Sequence, residues 1–88
     1  MEVEFTSSFT RDLRRLRNAE LRGRVERIIE EMERAPEITA VAGVARLKGP
    51  GQFYRVRVGD YRIALSVEGG AAVVTRFLHR RDIYRYFP

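Results

Sequence analysis

Tyr54-Arg55-Val56-Arg57-Val58-Gly59-Asp60-Tyr61-Arg62-Ile63-Ala64-Leu65-Ser66-Val67 is the stretch whose reading decides the fold. Apolar and polar residues alternate with a period of two on both sides of Gly59-Asp60, a tight-hairpin signal. A two-residue loop there pairs Val58 with Tyr61, Arg57 with Arg62, Val56 with Ile63, Arg55 with Ala64 and Tyr54 with Leu65. Side chains alternate between faces along a strand. Tyr54, Val56, Val58, Tyr61, Ile63 and Leu65 are therefore expected to share a buried face. Arg55, Arg57 and Arg62 share the opposite one. Directly opposed like charges destabilise a sheet by a few tenths to about 1 kcal/mol. An anion bound between Arg57 and Arg62 reverses that sign, whereas two arginines splaying into salted water make it small.

Outward from the hairpin, Glu68-Gly69-Gly70 reads as a second turn and Ala71–Leu78 as another strand. A two-residue Gly69-Gly70 loop would aim Arg76 into the core, which is expensive for an unpaired charge. A three-residue loop pairs Val67 with Ala71. It sends Val73, Thr75 and Phe77 to the core and sets Arg76 opposite Arg62. That loop is the expectation. It leaves Ala64, Ser66, Ala72 and Val74 beside the arginines, with Phe53 on the same face by strict alternation. Residues 79–87 are polar and aromatic and are expected to form a last helical turn.

Toward the N-terminus, Val3 and Phe5 alternate with Glu2 and Glu4 as in a short strand. Thr6, Ser7 and Ser8 offer helix N-caps. Phe9, Leu13 and Leu16 follow at helical spacing. Asn18 interrupts, and Leu21, Val25, Ile28, Ile29 and Met32 form a second stripe that Pro36 ends. The charges between these stripes read as a solvated face. Residues 37–44 connect to a short strand at 45–47, and Gly49-Pro50-Gly51 is a turn. The order β-α-α-β-β-β-β predicts an α+β domain, with an N-terminal strand and αα-hairpin on one face of an antiparallel sheet and a short C-terminal helical tail.

Composition narrows the chemistry. With 88 residues and no cysteine, the chain makes one domain without disulfides or thiolate metal sites. One histidine, His79, argues against a histidine metal cluster. No run of about 18 apolar residues suggests a membrane span, so the cytoplasm is the expected compartment. Residues 1–44 hold eight arginines against nine acids, a sum of −1; residues 45–88 hold eight arginines and one lysine against three acids, a sum of +6. Such asymmetry points to a polyanion, nucleic acid first. Sixteen of the seventeen basic residues are arginine, the better group for bidentate phosphate contacts.

The segment Tyr54–Val67, followed by His79-Arg80-Arg81-Asp82-Ile83-Tyr84 and preceded by Leu47-Lys48-Gly49, resembles the signature of RelE-type toxins of the RelE/ParE superfamily. The resemblance extends over nearly the whole chain. It implies a fold similar to microbial ribonucleases and a toxin of a toxin–antitoxin pair. Such toxins cut messenger RNA in the ribosomal decoding site, by metal-independent attack of the ribose 2′-OH on the adjacent phosphate. Expected partners are a cognate antitoxin, the ribosome and mRNA, with no cofactor. By this resemblance Arg55 and Arg57 match the family's two basic strand residues and Arg62 its phosphate-binding arginine. Arg80 matches the arginine after the last strand, with Arg81 as the alternative. Tyr84 matches the functional tyrosine of the tail. Lys48, Arg76, Arg81 and Arg85 are expected to add RNA contacts. Well-known members carry lysine at the positions of Arg55 and Arg57. Arginine stays protonated near neutral pH and is no general base. That role is left to His79, Tyr84 or a ribosomal group, or to none, and His79 has a second reading as the residue that fixes the turn into the tail. A ParE-like toxin that binds DNA gyrase without chemistry, and a non-catalytic RNA- or antitoxin-binding member, are the alternatives.

Overall fold

The computed structural model describes residues 1–87. Strand β1 (Glu2–Phe5) leads into helices α1 (Ser7–Arg15) and α2 (Ala19–Arg34). A single 3-10 turn (Ile38–Ala40) follows, then β2 (Val44–Arg46), β3 (Phe53–Val58), β4 (Tyr61–Glu68), β5 (Ala71–His79) and a one-turn helix α3 (Ile83–Tyr86). Thr6 caps α1, its hydroxyl accepting from the Phe9 amide at 3.2 Å. Asn18 caps α2 in the same way at the Leu21 amide, 3.0 Å away. The residue that interrupts the first helical stripe thus starts the second helix.

Five strands form one sheet in the order β1-β5-β4-β3-β2. The β2-β3-β4-β5 meander is antiparallel. β1 lies parallel to β5, from Glu2 beside Ala71 to Phe5 beside Val74. The sheet is therefore mixed, not antiparallel throughout. The αα-hairpin and the meander together form the long crossover that parallel neighbours require. Thr6 seals the join, its amide donating to Val74 O at 3.0 Å and its hydroxyl to Thr75 O at 2.8 Å.

The first hairpin has the register expected from the sequence, from Val58 opposite Tyr61 to Tyr54 opposite Leu65. Gly59 takes φ +60°, the left-handed backbone that such a loop demands. The second hairpin differs from expectation. Its loop is the two-residue one, with Glu68 opposite Ala71 and both glycines at positive φ. A β-bulge then shifts the register, so that Leu65 faces Val74 but Ala64 faces Arg76. Thr75 is the extra residue, and its hydroxyl donates to Ala64 O at 3.1 Å. The bulge reverses parity partway along β5. Ala72 and Val74 therefore enter the core, where Val73 and Thr75 were expected, while Phe77 keeps its expected place. Arg76 stays out of the core, as its charge requires, but its partner across the strands is Ala64 and not Arg62.

Between helices and sheet lies the main core, with Phe9, Val25, Met32, Val56, Val58, Ile63, Leu65, Val74 and Phe77 buried. A smaller cluster forms on the other face, where Ile83 and Phe87 of the tail cover Ala64 together with Phe53, Leu47 and Leu78. Phe53 lies edge-on to Phe87, with 5.4 Å between ring centroids, so its place on the arginine face serves packing. Ile63 is fully buried at the centre of the sheet. Ile63→Ala is expected to lower unfolding free energy by about 2–5 kcal/mol and Ile63→Val by about 0.5–1.5 kcal/mol in urea titrations.

Candidate functional site

Arg57 and Arg62 stand directly opposite each other on β3 and β4, on the face turned away from the helices. Cross-strand Cβ atoms at such positions are about 4.5–5.5 Å apart. Arg55 is two residues along the same strand and on the same face. Its Nη1 donates to Gly43 O at 2.9 Å. Arg62 turns its own Nη1 back onto the hairpin, donating to Gly59 O and Tyr61 O at 2.8 Å each. These backbone carbonyls hold the guanidinium groups in place, yet neutralise none of their charge.

Electrostatics follow from this crowding. Burial, then the neighbouring Arg55 and Arg57, and then Arg80 push the Arg62 guanidinium below its ordinary range, with Tyr84 opposing. The folded state therefore disfavours the charge on Arg62. At neutral pH that charge is present, so the repulsion counts against folding throughout the physiological range; it lifts only as pH rises into the guanidinium range. A bound phosphate would remove it without deprotonation.

The tail completes the face. Arg80 donates its amide to Asp60 O at 2.8 Å, tying the end of β5 to the first hairpin turn. Its guanidinium keeps a loose, exposed contact with the Asp60 carboxylate at 3.8 Å. Tyr84 is 64% exposed. It borders a shallow groove of about 400 Å³ with Arg55, Lys48, Arg46 and Leu47. Arg55, Arg57, Arg62, Arg80, Tyr84 and Lys48 are thus gathered on one side of the molecule. Arg85 is exposed on the outer side of α3.

His79 lies elsewhere. It pairs with Tyr61, whose side chain belongs to the helical face, and its ring sits edge-on to the Tyr61 ring at 5.4 Å. Its Nδ1 accepts from the Arg81 amide at 3.1 Å and from Arg81 Nε at 3.3 Å. Nδ1 of His79 is thus engaged in the turn that leads from β5 into the tail. Arg81 borders a cleft of about 530 Å³ that wraps the edge of β5 from His79 to Arg76 and Tyr86, whereas Arg80 lies among the charges that act on Arg62. Arg76 is taken by an ion pair, Nε and Nη2 donating to the Asp12 carboxylate at 2.8 and 3.1 Å.

Two participants escaped the sequence reading. Arg46 borders the groove while donating to Gly51 O at 2.7 Å. Asp12 holds Arg76 and also accepts from the Phe77 amide at 3.0 Å. The signal for Asp12 was present, since a carboxylate three residues after Phe9 and one before Leu13 falls on the buried stripe of α1. Among the described residues, no group of three or more His, Asp or Glu side chains is placed to hold a metal ion.

The opposed arginines generate a test of this face. Arg57→Thr is expected to raise stability by about 0.2–1 kcal/mol at low ionic strength, with the gain shrinking at high salt. Millimolar phosphate should raise the melting temperature of the parent protein more than that of the variant, because only the parent has two arginines to share one anion.

Residues 3–84 match the family described as the ParE toxin of the type II toxin-antitoxin system, parDE. Toxin RelE3 of Methanocaldococcus jannaschii is 37% identical over 89 residues, covering all of both chains. The crystal structure of a RelB-RelE antitoxin-toxin complex from Methanococcus jannaschii aligns with a TM-score of 0.82 at 35% identity, over 97% of this chain and 99% of that one. The RelBE toxin-antitoxin complex of E. coli shares the fold at 18% identity, with a TM-score of 0.71 over 89% of this chain and 94% of that one. A fold, a family match and a full-length relative agree, and the chain belongs to the RelE/ParE family of toxins of type II toxin-antitoxin systems.

Proposed function

We propose that this toxin is a ribosome-dependent endoribonuclease that cuts mRNA and so stops translation. The observation that carries the reading is the opposed pair Arg57 and Arg62, with Arg55, Arg80 and Tyr84 around it on an open sheet face. Arg80 keeps its loose contact with Asp60, but Arg55, Arg57 and Arg62 form no ion pair among the described residues, and phosphate is the group that offsets their repulsion.

In the proposed reaction the ribose 2′-oxygen forms a bond to the adjacent phosphorus and the bond from phosphorus to the 5′-oxygen breaks. The 2′-OH loses its proton and the departing 5′-oxygen gains one, leaving a 2′,3′-cyclic phosphate and a 5′-OH. Arg57 and Arg62 stabilise the charge that builds on the pentavalent phosphorus, with Arg55 and Arg80 fixing the flanking strand. Arginine moves no proton here. The groups available for proton transfer are His79, Tyr84, Lys48 and whatever the ribosome places beside the RNA. A site built mainly of arginine, which supplies no base, fits a toxin that acts on ribosome-bound message and not on free RNA. A cognate antitoxin is the expected protein partner, in keeping with the RelB-RelE complex of the relative. The strongly basic half of the chain suits an acidic or amphipathic antitoxin segment.

A second reading draws support from the ParE toxin family match. It has the same fold bind DNA gyrase without chemistry. A translating extract separates the two. Purified protein should produce cuts in translated mRNA, mapped by primer extension, and few in naked RNA. Arg62→Ala should lower the cutting rate by about 100-fold or more. Full cutting by Arg62→Ala would overturn the arginine site. Intact mRNA together with inhibited supercoiling would establish the gyrase reading.

A further inference from the structure

The tail helix α3 is a single turn, and a turn this short does not hold its own orientation. At about 100° per residue, Ile83 and Phe87 point to one side, Tyr84 and Tyr86 flank them on opposite sides, and Arg85 points outward. Ile83 and Phe87 are buried against Ala64 and fix where α3 sits. Apolar contact along one line leaves the helix able to roll about its axis. Tyr84 stands on the flank that borders Arg55 and Lys48. On the other flank the Tyr86 ring lies under the guanidinium of Arg76, 5.3 Å from carbon to ring centroid.

Arg76 is itself immobilised. Its in-plane donors engage both oxygens of Asp12, whose side chain is only 7% exposed. Asp12 is fixed in turn by the Phe77 amide on the part of β5 that extends beyond β1. A guanidinium can donate in its plane and stack on its face at once, which an ammonium cannot do with the same geometry. The bulge at Thr75 is what turns Arg76 to this side of the sheet.

We propose that Arg76 is a positioning residue: clamped by Asp12, it receives the Tyr86 ring, sets the roll of α3, and thereby sets where Tyr84 stands over the arginine face. The functional half of this statement rests on the endoribonuclease reading; the conformational half does not. Tyr86 acts through its ring, so its hydroxyl is dispensable.

The test uses the full chain labelled with 3-fluorotyrosine, the Tyr84 resonance being identified by its loss in Tyr84→Phe. In Tyr86→Leu and in Arg76→Lys the Tyr84 signal should narrow and move toward the position of a free tyrosine. In Tyr86→Phe it should stay in place. An unmoved Tyr84 signal in Tyr86→Leu overturns the proposal whatever the activity. In the translating extract, Tyr86→Leu should cut about two- to fivefold more slowly at saturating ribosome complex, with half-saturation unchanged, and Tyr86→Phe should cut like the parent. In a Tyr84→Ala background, Tyr86→Leu should slow cutting no further, and an equal further fall there also overturns the proposal. If the parent protein cuts nothing, the endoribonuclease reading fails, and the fluorine spectra alone decide the rolling of α3.

Discussion

Everything on this molecule depends on the register of the β3–β4 hairpin. Val58 opposite Tyr61 across Gly59-Asp60 sends Val56, Val58, Ile63 and Leu65 to one side and Arg55, Arg57 and Arg62 to the other. A slip of one residue would exchange the two sets, burying three guanidinium groups and exposing the centre of the core. The hydrophobic force that locks the register is therefore also the force that holds the arginines together. The like charges cannot relax by shifting the strands, because any shift costs far more in lost burial than it recovers in repulsion. What remains open to them is a partner of opposite sign.

The two faces of the sheet differ in how far they are covered. The αα-hairpin closes one face over the main core, while α3 covers only a patch around Ala64 on the other. The proposed site lies at the margin of that patch, where the strand arginines meet the tail tyrosine. Rigid strands supply the charges, and a one-turn helix supplies the aromatic group. Contacts made by strand residues are set by the sheet, whereas those made by Tyr84 depend on what anchors the tail. The ion pair from α1 to Arg76 reaches that anchor from the opposite face, so the helical layer and the arginine face are mechanically joined at the edge of β5.

Legibility in the sequence followed the reach of the interactions involved. Helix caps at Thr6 and Asn18 and the first hairpin are local, and their residues announce them. The arginine pair came directly from the hairpin register. The parity of β5 was read from a sound constraint, that Arg76 should not be buried unpaired, but a longer loop and a bulge meet that constraint equally well. Only the partner strand and the Thr75 hydroxyl bond decide between them. The parallel pairing of β1 with β5 joins residues about seventy positions apart, which alternation alone cannot reveal. The side of the sheet on which His79 lies depended on that same bulge. Asp12 was passed over as one charge among many on a helix, although its place on the apolar stripe set it apart.

The parallel contact between β1 and β5 bears on how the chain comes to be folded. β5 lies between β1 and β4 in the sheet, yet it is the last of the five strands in sequence among the described residues. Until it emerges from synthesis, β1 has no neighbour and the helices have only part of a sheet to cover. Closure of such distant pairs is slow compared with local hairpin formation. The arginine hairpin can form early, while the completed layer and the seated tail must wait for β5. Until β5 is made, a nascent copy of this toxin lacks a completed sheet, and its exposed apolar strands are open in that interval to whatever chain can cover them first.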